Sequence, residues 1–174
     1  RKEALEAEVE LREVLGEDLK KVGKFSSDCA PELARAIRNL HVPHATASPN
    51  RSNSNGFVER HLGVTADATR TLLFAGGGPH TWWPPAGKYH CHMWNITRRG
   101  DQLESAWTQR HGEPFSGLQL ACLSACNFLP YKQGMKAAPT FAPRHRAGLF
   151  DGWALSTRGK WKGDYWIAPL SQFT

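Results

Sequence analysis

Residues 43–62 read PHATASPNRSNSNGFVERHL, and the succession of strand, loop and helix chemistry in this stretch decides the architecture around it. His44, Ala45 and Thr46 form a short extended segment that Pro49 stops. Residues 50–56, NRSNSNG, carry loop chemistry, with Asn53 and Ser54 available as helix caps. A long helix is expected from about residue 55 to 75, with Val58, Leu62, Leu73 and small alanines as its inner stripe. The run Gly76-Gly77-Gly78-Pro79 ends it.

Toward the N-terminus, PELARAIRNL at 31–40 opens with Pro31 in a first-turn position and repeats apolar residues at Leu33, Ile37 and Leu40. Before it, KKVGKFSSD at 20–28 alternates Val22 and Phe25 with polar residues, the pattern of a short strand that runs into a polar loop at Asp28. Residues 3–15 place Ala4, Ala7, Leu11, Val14 and Leu15 at helical spacing, with Gly16 as the stop. Toward the C-terminus, TWWPPAGKYHCHMWN at 81–95 is expected to be a helix packed on the preceding one. DQLESAWTQRHGEPF at 101–115 then reads as a short helix and a linker. From about Leu118 the texture changes to short apolar and aromatic runs split by glycine and charge, which predicts a small all-β module.

Composition narrows the function classes. The 174 residues are 40% hydrophobic and 22% charged, the mix of a soluble globular protein, and no apolar run approaches the roughly 20 residues that span a bilayer. The opening RKEALEAEVELREVL is too acidic and helical for a targeting peptide, and a first residue of Arg1 rather than Met leads us to expect an excised piece. The net charge of +6 sits mainly in the later part, around RHRAG and STRGKWKGDYW, and favours a polyanionic partner. Cys29, Cys91, Cys122 and Cys126 lack the CxxC pairing of a structural zinc site and read as reduced thiols.

Two acids sit where a fold presents carboxylates. Asp28 ends a strand, Glu59 opens a helix after a Ser/Asn/Gly loop, and thirty residues lie between them. Carboxylates delivered to one place hold divalent cations through hard oxygen donors. Two such cations about 4 Å apart serve phosphoryl transfer. Spacing alone favours solvated or helix-capping acids over a metal site.

The words around those acids carry more. SSDCAPEL at 26–33 and the stretch at 43–62 resemble the SDN-x-x-E and S-P-x-x-P-x-x-NG-x-x-ER signature of retroviral-integrase-superfamily cores. TRTLLFAGGGPHTWWPPAGKYHCHMWNIT at 69–97 resembles the two helices after the catalytic Glu in copia-type retrotransposons. ESAWTQRHGEPF at 104–115 and FAPRHRAGLFDGWALSTRGKWKGDYWIAPL at 141–170 resemble the linker and SH3-like module downstream of that core.

The resemblance implies an α/β fold, with a partial RNase H-like integrase core over 1–115 and an SH3-like β module over 116–174. It makes Asp28 the second Asp of an Asp-Asp-Glu triad and Glu59 its Glu, with Mg²⁺ or Mn²⁺ as the cofactor. It implies DNA as substrate, through end processing and strand transfer in the nucleus by a homo-oligomer, with no membrane involvement. Asn55, Gly56, Arg60, His44 and Ser48 would line the DNA. Asn55 and Gly56 permit a tight turn that brings backbone near a phosphate. Arg60 equally suits an exposed helix position, Asn55 a cap, and His44 and Ser48 plain loop structure.

Several positions depart from the pattern. No strand bearing the triad's first Asp precedes residues 3–15, Asp18 is no substitute, and the zinc-binding HHCC module is absent. Cys29 replaces the usual Asn, Ser52 stands where Pro is common, and the Asp28–Glu59 gap is shorter than in most retroviral cores. Asp151 interrupts the apolar strand GLFDGW. With two of three ligands the isolated chain is expected to be inactive in strand transfer, and joined product with Mn²⁺ would contradict that. The competing readings are a catalytically dead nucleic-acid-binding remnant, and a protein-interaction module whose face is Trp153, Trp161, Tyr165 and Trp166. Aromatics this dense more often fill a small barrel's core.

Overall fold

The computed structural model describes residues 2–27, 30–46, 56–130, 141, 143–156 and 159–173. The chain is mixed α/β and divides into two compact units, Arg1–Gly63 with Leu155–Lys162, and Val64–Ala154 with Gly163–Thr174.

In the first unit, helix α1 covers Lys2–Leu15 and packs on α2, Pro31–Asn39. Ala4, Ala36, Ile37 and Leu40 are buried at this contact. Val14, expected on the inner stripe, is exposed, because it lies at the stripe's edge and a single partner helix covers only its centre. Between the helices, Asn39 Nδ2 donates to Glu8 Oε2 at 2.8 Å, and within α1 Arg12 donates to Glu8 Oε1. These bonds, that of Asn39 foremost, hold the Glu8 carboxyl below its ordinary range. Gly16, with φ of 53°, ends α1 and starts a 3-10 turn over Gly16–Lys21, since few other residues adopt that backbone without strain.

Strand β1, Phe25–Ser27, pairs in parallel with β2, His44–Thr46, and α2 supplies the crossover that a parallel pair requires. Pro31 sits at the start of α2, where its missing N–H costs nothing. His41, with φ of 56°, turns the chain out of α2 toward β2.

Helix α3 runs Gly56–Gly76. Of its expected inner stripe, Leu73 is buried, but Val58 and Leu62 are 51% and 64% exposed. The stripe holds only where α3 has a neighbour. Near Thr69 it approaches α4, Trp83–Ile96, so closely that a Cβ on Gly87 would lie 3.5 Å from Thr69 Oγ1. The short helix α5, Ala106–His111, follows, capped at its start by the Ser105 side chain, which accepts from the Thr108 N–H at 3.1 Å.

The remaining strands, β3 Ala125–Phe128, β4 Arg146–Leu155 and β5 Trp161–Pro169, form a sheet in the order β3-β4-β5. β3 and β4 are antiparallel, with Ala125 opposite Leu149. Gly148 is required here. A Cβ would fall 2.6 Å from Ile167 Cγ2 and 2.8 Å from the Ala168 carbonyl oxygen, so β5 could not pass.

An aromatic core ties helices to this sheet. Tyr89 and His92 of α4 meet Trp107, Phe115, Phe150 and Trp153, with the Tyr89 and Trp153 rings stacked at 5.3 Å and His92 4.5 Å from Trp153. The polar atoms of Trp153 and Tyr89 are satisfied. Trp153 Nε1 donates to the Leu118 carbonyl at 2.9 Å, and the Tyr89 hydroxyl donates to the Leu120 carbonyl at 2.8 Å.

Candidate metal and nucleic-acid site

The β1–β2 register aligns Ser27 with Thr46, so the C-terminal ends of two parallel strands lie side by side. In open α/β sheets ligands gather at such ends, where the connecting loops carry polar groups. Asp28 follows Ser27 directly in the chain, and Ser48 comes two residues after Thr46. Asp28, Ser48 and Asn55 themselves lie outside the described residues.

Strand alternation puts Phe25 and Ser27 on one face of the ladder, with His44 and Thr46 across from them. His44 Nε2 and Ser27 Oγ are hydrogen-bonded at 2.8 Å, the direction depending on the imidazole tautomer. His44 was singled out from the sequence as a DNA contact; the ring nitrogen Nε2 is already engaged with a strand neighbour. Ser27 was not singled out at all. Its signal was the two-residue period that sets it on the His44 face.

Gly56 is the first residue of α3, and Glu59 lies in its first turn with Arg60 next to it. Both charged side chains are exposed and neither forms an ion pair with a described residue. The partial positive charge at a helix start favours a carboxylate in this position. Around them Phe57 is exposed, its ring edge-on to His61 at 4.3 Å.

The donor chemistry of Glu59 fits Mg²⁺ or Mn²⁺, since solvent-facing carboxylate oxygens are the hard ligands such ions take. One carboxylate is not a site. Among the described residues no group of three or more His, Cys, Asp or Glu side chains is placed to hold a metal ion. Asp18 sits in the 3-10 turn before β1 and pairs with Lys21 at 3.1 Å.

The second unit holds its titratable groups differently. His90, Cys91 and His92 are consecutive on α4, so helical geometry turns them to different sides. Cys91 is exposed while His92 is buried. Burial holds the His90 imidazole below its ordinary range and pushes His92 down to about 4. The Cys122 thiol is pushed up to about 11, first by burial and then by the charge of Asp151, which leaves it an inert core group. Asp151, the irregular residue of β4, is itself held above the usual carboxylate range by burial, with Lys88 opposing.

The aromatics of the β module divide between core and surface. Trp153 is 6% exposed and belongs to the core, whereas Trp166 is 63% exposed. Trp166 borders an open groove of about 680 Å³ lined also by Leu118, Leu120, Phe128 and Tyr165. Among the described residues no helix is long and apolar enough to cross a membrane. No protein-family model matches the chain, and neither does any curated protein or solved structure.

Proposed function

We propose that the chain is part of a copia-type integrase, a metal-dependent DNA-joining enzyme, with an RNase H-like core over 1–115 followed by an SH3-like module. One observation carries this reading. The parallel β1–α2–β2 unit ends both strands together immediately ahead of Asp28 and the Ser/Asn/Gly loop, and α3 then offers Glu59 in its first turn.

In this reading Asp28 and Glu59 are two of three carboxylates for Mg²⁺ or Mn²⁺. Such a bound metal pair would supply activation of the attacking oxygen and charge stabilisation at the leaving one. The chain's own contribution is binding and orientation. Gly56 lets backbone approach a phosphate, Arg60 supplies charge beside Glu59, and Asn55, His44 and Ser48 flank the DNA. The substrate is DNA, element ends and target alike, held by a homo-oligomer acting in the nucleus. DNA binding is the part of this reading that can be measured directly.

Fluorescence anisotropy with a blunt-ended duplex tests this. Binding should weaken steeply as salt rises, because phosphate contacts release counterions. Mn²⁺ should tighten binding to the parent chain and leave Glu59→Gln unchanged. No DNA binding at low salt contradicts the proposal. Binding that ignores Mn²⁺ in both proteins favours the second reading, a catalytically dead nucleic-acid-binding remnant.

A further inference from the structure

We propose that Arg99, on the turn after α4, is a binding residue for a backbone phosphate of duplex DNA. The site lies in the second unit, whereas Asp28 and Glu59 belong to the first. It rests on the DNA partner of the proposed function and uses none of its metal chemistry.

The turn holds the arginine in one place. Thr97 ends α4 by donating its N–H to the Met93 carbonyl at 3.0 Å. The chain then turns, with the Gln102 N–H donating to the Arg99 carbonyl at 3.1 Å and Gly100 at a φ of 53°. The Arg99 side chain lies back over Trp94, its guanidinium carbon 3.8 Å from the ring centroid. His90, one turn earlier on α4, touches the same indole with ring centroids 5.6 Å apart. Stacking on an aromatic face fixes the plane of a guanidinium.

An arginine near a helix end ordinarily pairs with a carboxylate or donates to the last carbonyls. Arg99 does neither. Asp101 and Glu104 follow in the same loop, yet among the described residues no carboxylate pairs with Arg98 or Arg99. Arg99 Nε is enclosed with no acceptor, while the terminal nitrogens are not enclosed in this way and the residue is half-buried. Arg98, beside it, is exposed. The result is a fixed cation, uncompensated by the chain, with N–H donors in reach of solvent. A planar fork of such donors matches the paired oxygens of a phosphodiester. The freedom a long side chain loses on binding is here already lost in the fold. The chain's net charge of +6 draws a polyanion toward it.

The test is fluorescence anisotropy of the full chain with a labelled duplex over a salt series, with EDTA present so that no metal takes part. Arg99→Gln should bind about tenfold more weakly, the worth of a charge-assisted hydrogen bond. Its salt dependence should fall by about one released counterion. Arg99→Lys, which keeps the charge without the fork, should keep the salt slope and recover part of the affinity. Arg70→Gln makes the same change of charge at an exposed residue paired with Asp67, and should stay within about twofold of the parent. Equal losses in Arg99→Gln and Arg70→Gln would reduce the effect to net charge and overturn the site. Should Arg99→Gln lose its fold, the Trp94 indole NMR signal of the parent decides. It should shift on adding duplex, and a signal unmoved at saturation overturns the proposal. An equal shift with inorganic phosphate at the same phosphate concentration would assign the site to a free anion and overturn the backbone assignment. If the parent binds duplex and Arg99→Gln binds it equally well, the arginine site fails while the DNA reading stands. If the parent binds no duplex at low salt, both fail.

Discussion

Trp153→Ala is expected to destabilise the second unit by about 3–5 kcal/mol, the usual loss for a large buried aromatic. The indole is 6% exposed, stacks on Tyr89, abuts His92, Phe115 and Phe150, and donates to the Leu118 carbonyl. Its removal empties the place where α4, the 112–120 connection and β4 meet, and strands a carbonyl oxygen. Trp166→Ala is the internal control. That ring is 63% exposed and should cost within about 0.5 kcal/mol. Guanidinium unfolding followed by circular dichroism measures both. Equal costs for the two tryptophans would mean that the aromatic cluster is not the unit's core.

The second large effect is acid destabilisation through His92. Its imidazole is 7% exposed, ringed by Trp107, Phe115 and Trp153, and its buried Nε2 has no hydrogen-bond partner among the described residues. Burial lowers its pKa from 6.5 to about 4. Between these values the unfolded chain binds the proton that the folded chain refuses, so folding stability rises with pH. The stabilisation is fully present above pH 6.5 and is lost as pH falls toward 4, amounting to about 3 kcal/mol across the window. Asp151, raised by burial, gives a slope of opposite sign from its ordinary value of 3.8 upward. Comparison with His92→Phe separates the two, because the variant keeps Asp151. Stability of His92→Phe should change much less between pH 6.5 and 4.5 than that of the parent; parallel curves would show that the imidazole is solvated.

The local elements were legible because their signals are short-range. Pro31 and the Leu33/Ile37 spacing gave α2, the alternation around Phe25 gave β1, and the glycine run gave the end of α3. Less legible was whatever depends on a distant neighbour. Val58 and Leu62 have the spacing of an inner stripe but are exposed, since spacing says which side is apolar and not whether anything covers it. The burial of His92 was not legible either, since the rings around it, Trp107, Phe115 and Trp153, come from distant parts of the chain. The candidate site was readable as the words around Asp28 and Glu59. The tie between His44 and Ser27 was not, because it joins strands 17 residues apart in the chain and neither strand shows which residue it will meet.

Whether Glu59 belongs to a metal site is most directly decided by titrating the ¹⁵N-labelled chain with Mn²⁺ and following paramagnetic broadening of its amide signals. The acidic face of α1, with Glu3, Glu6, Glu10 and Glu13, is a built-in competitor for nonspecific cation binding. Expected is broadening that begins at the end of β1 and around Glu59, precedes any effect on α1, and disappears in Glu59→Gln. Broadening that starts on α1 and spares Glu59 would contradict the assignment of the chain to a metal-dependent DNA-joining core.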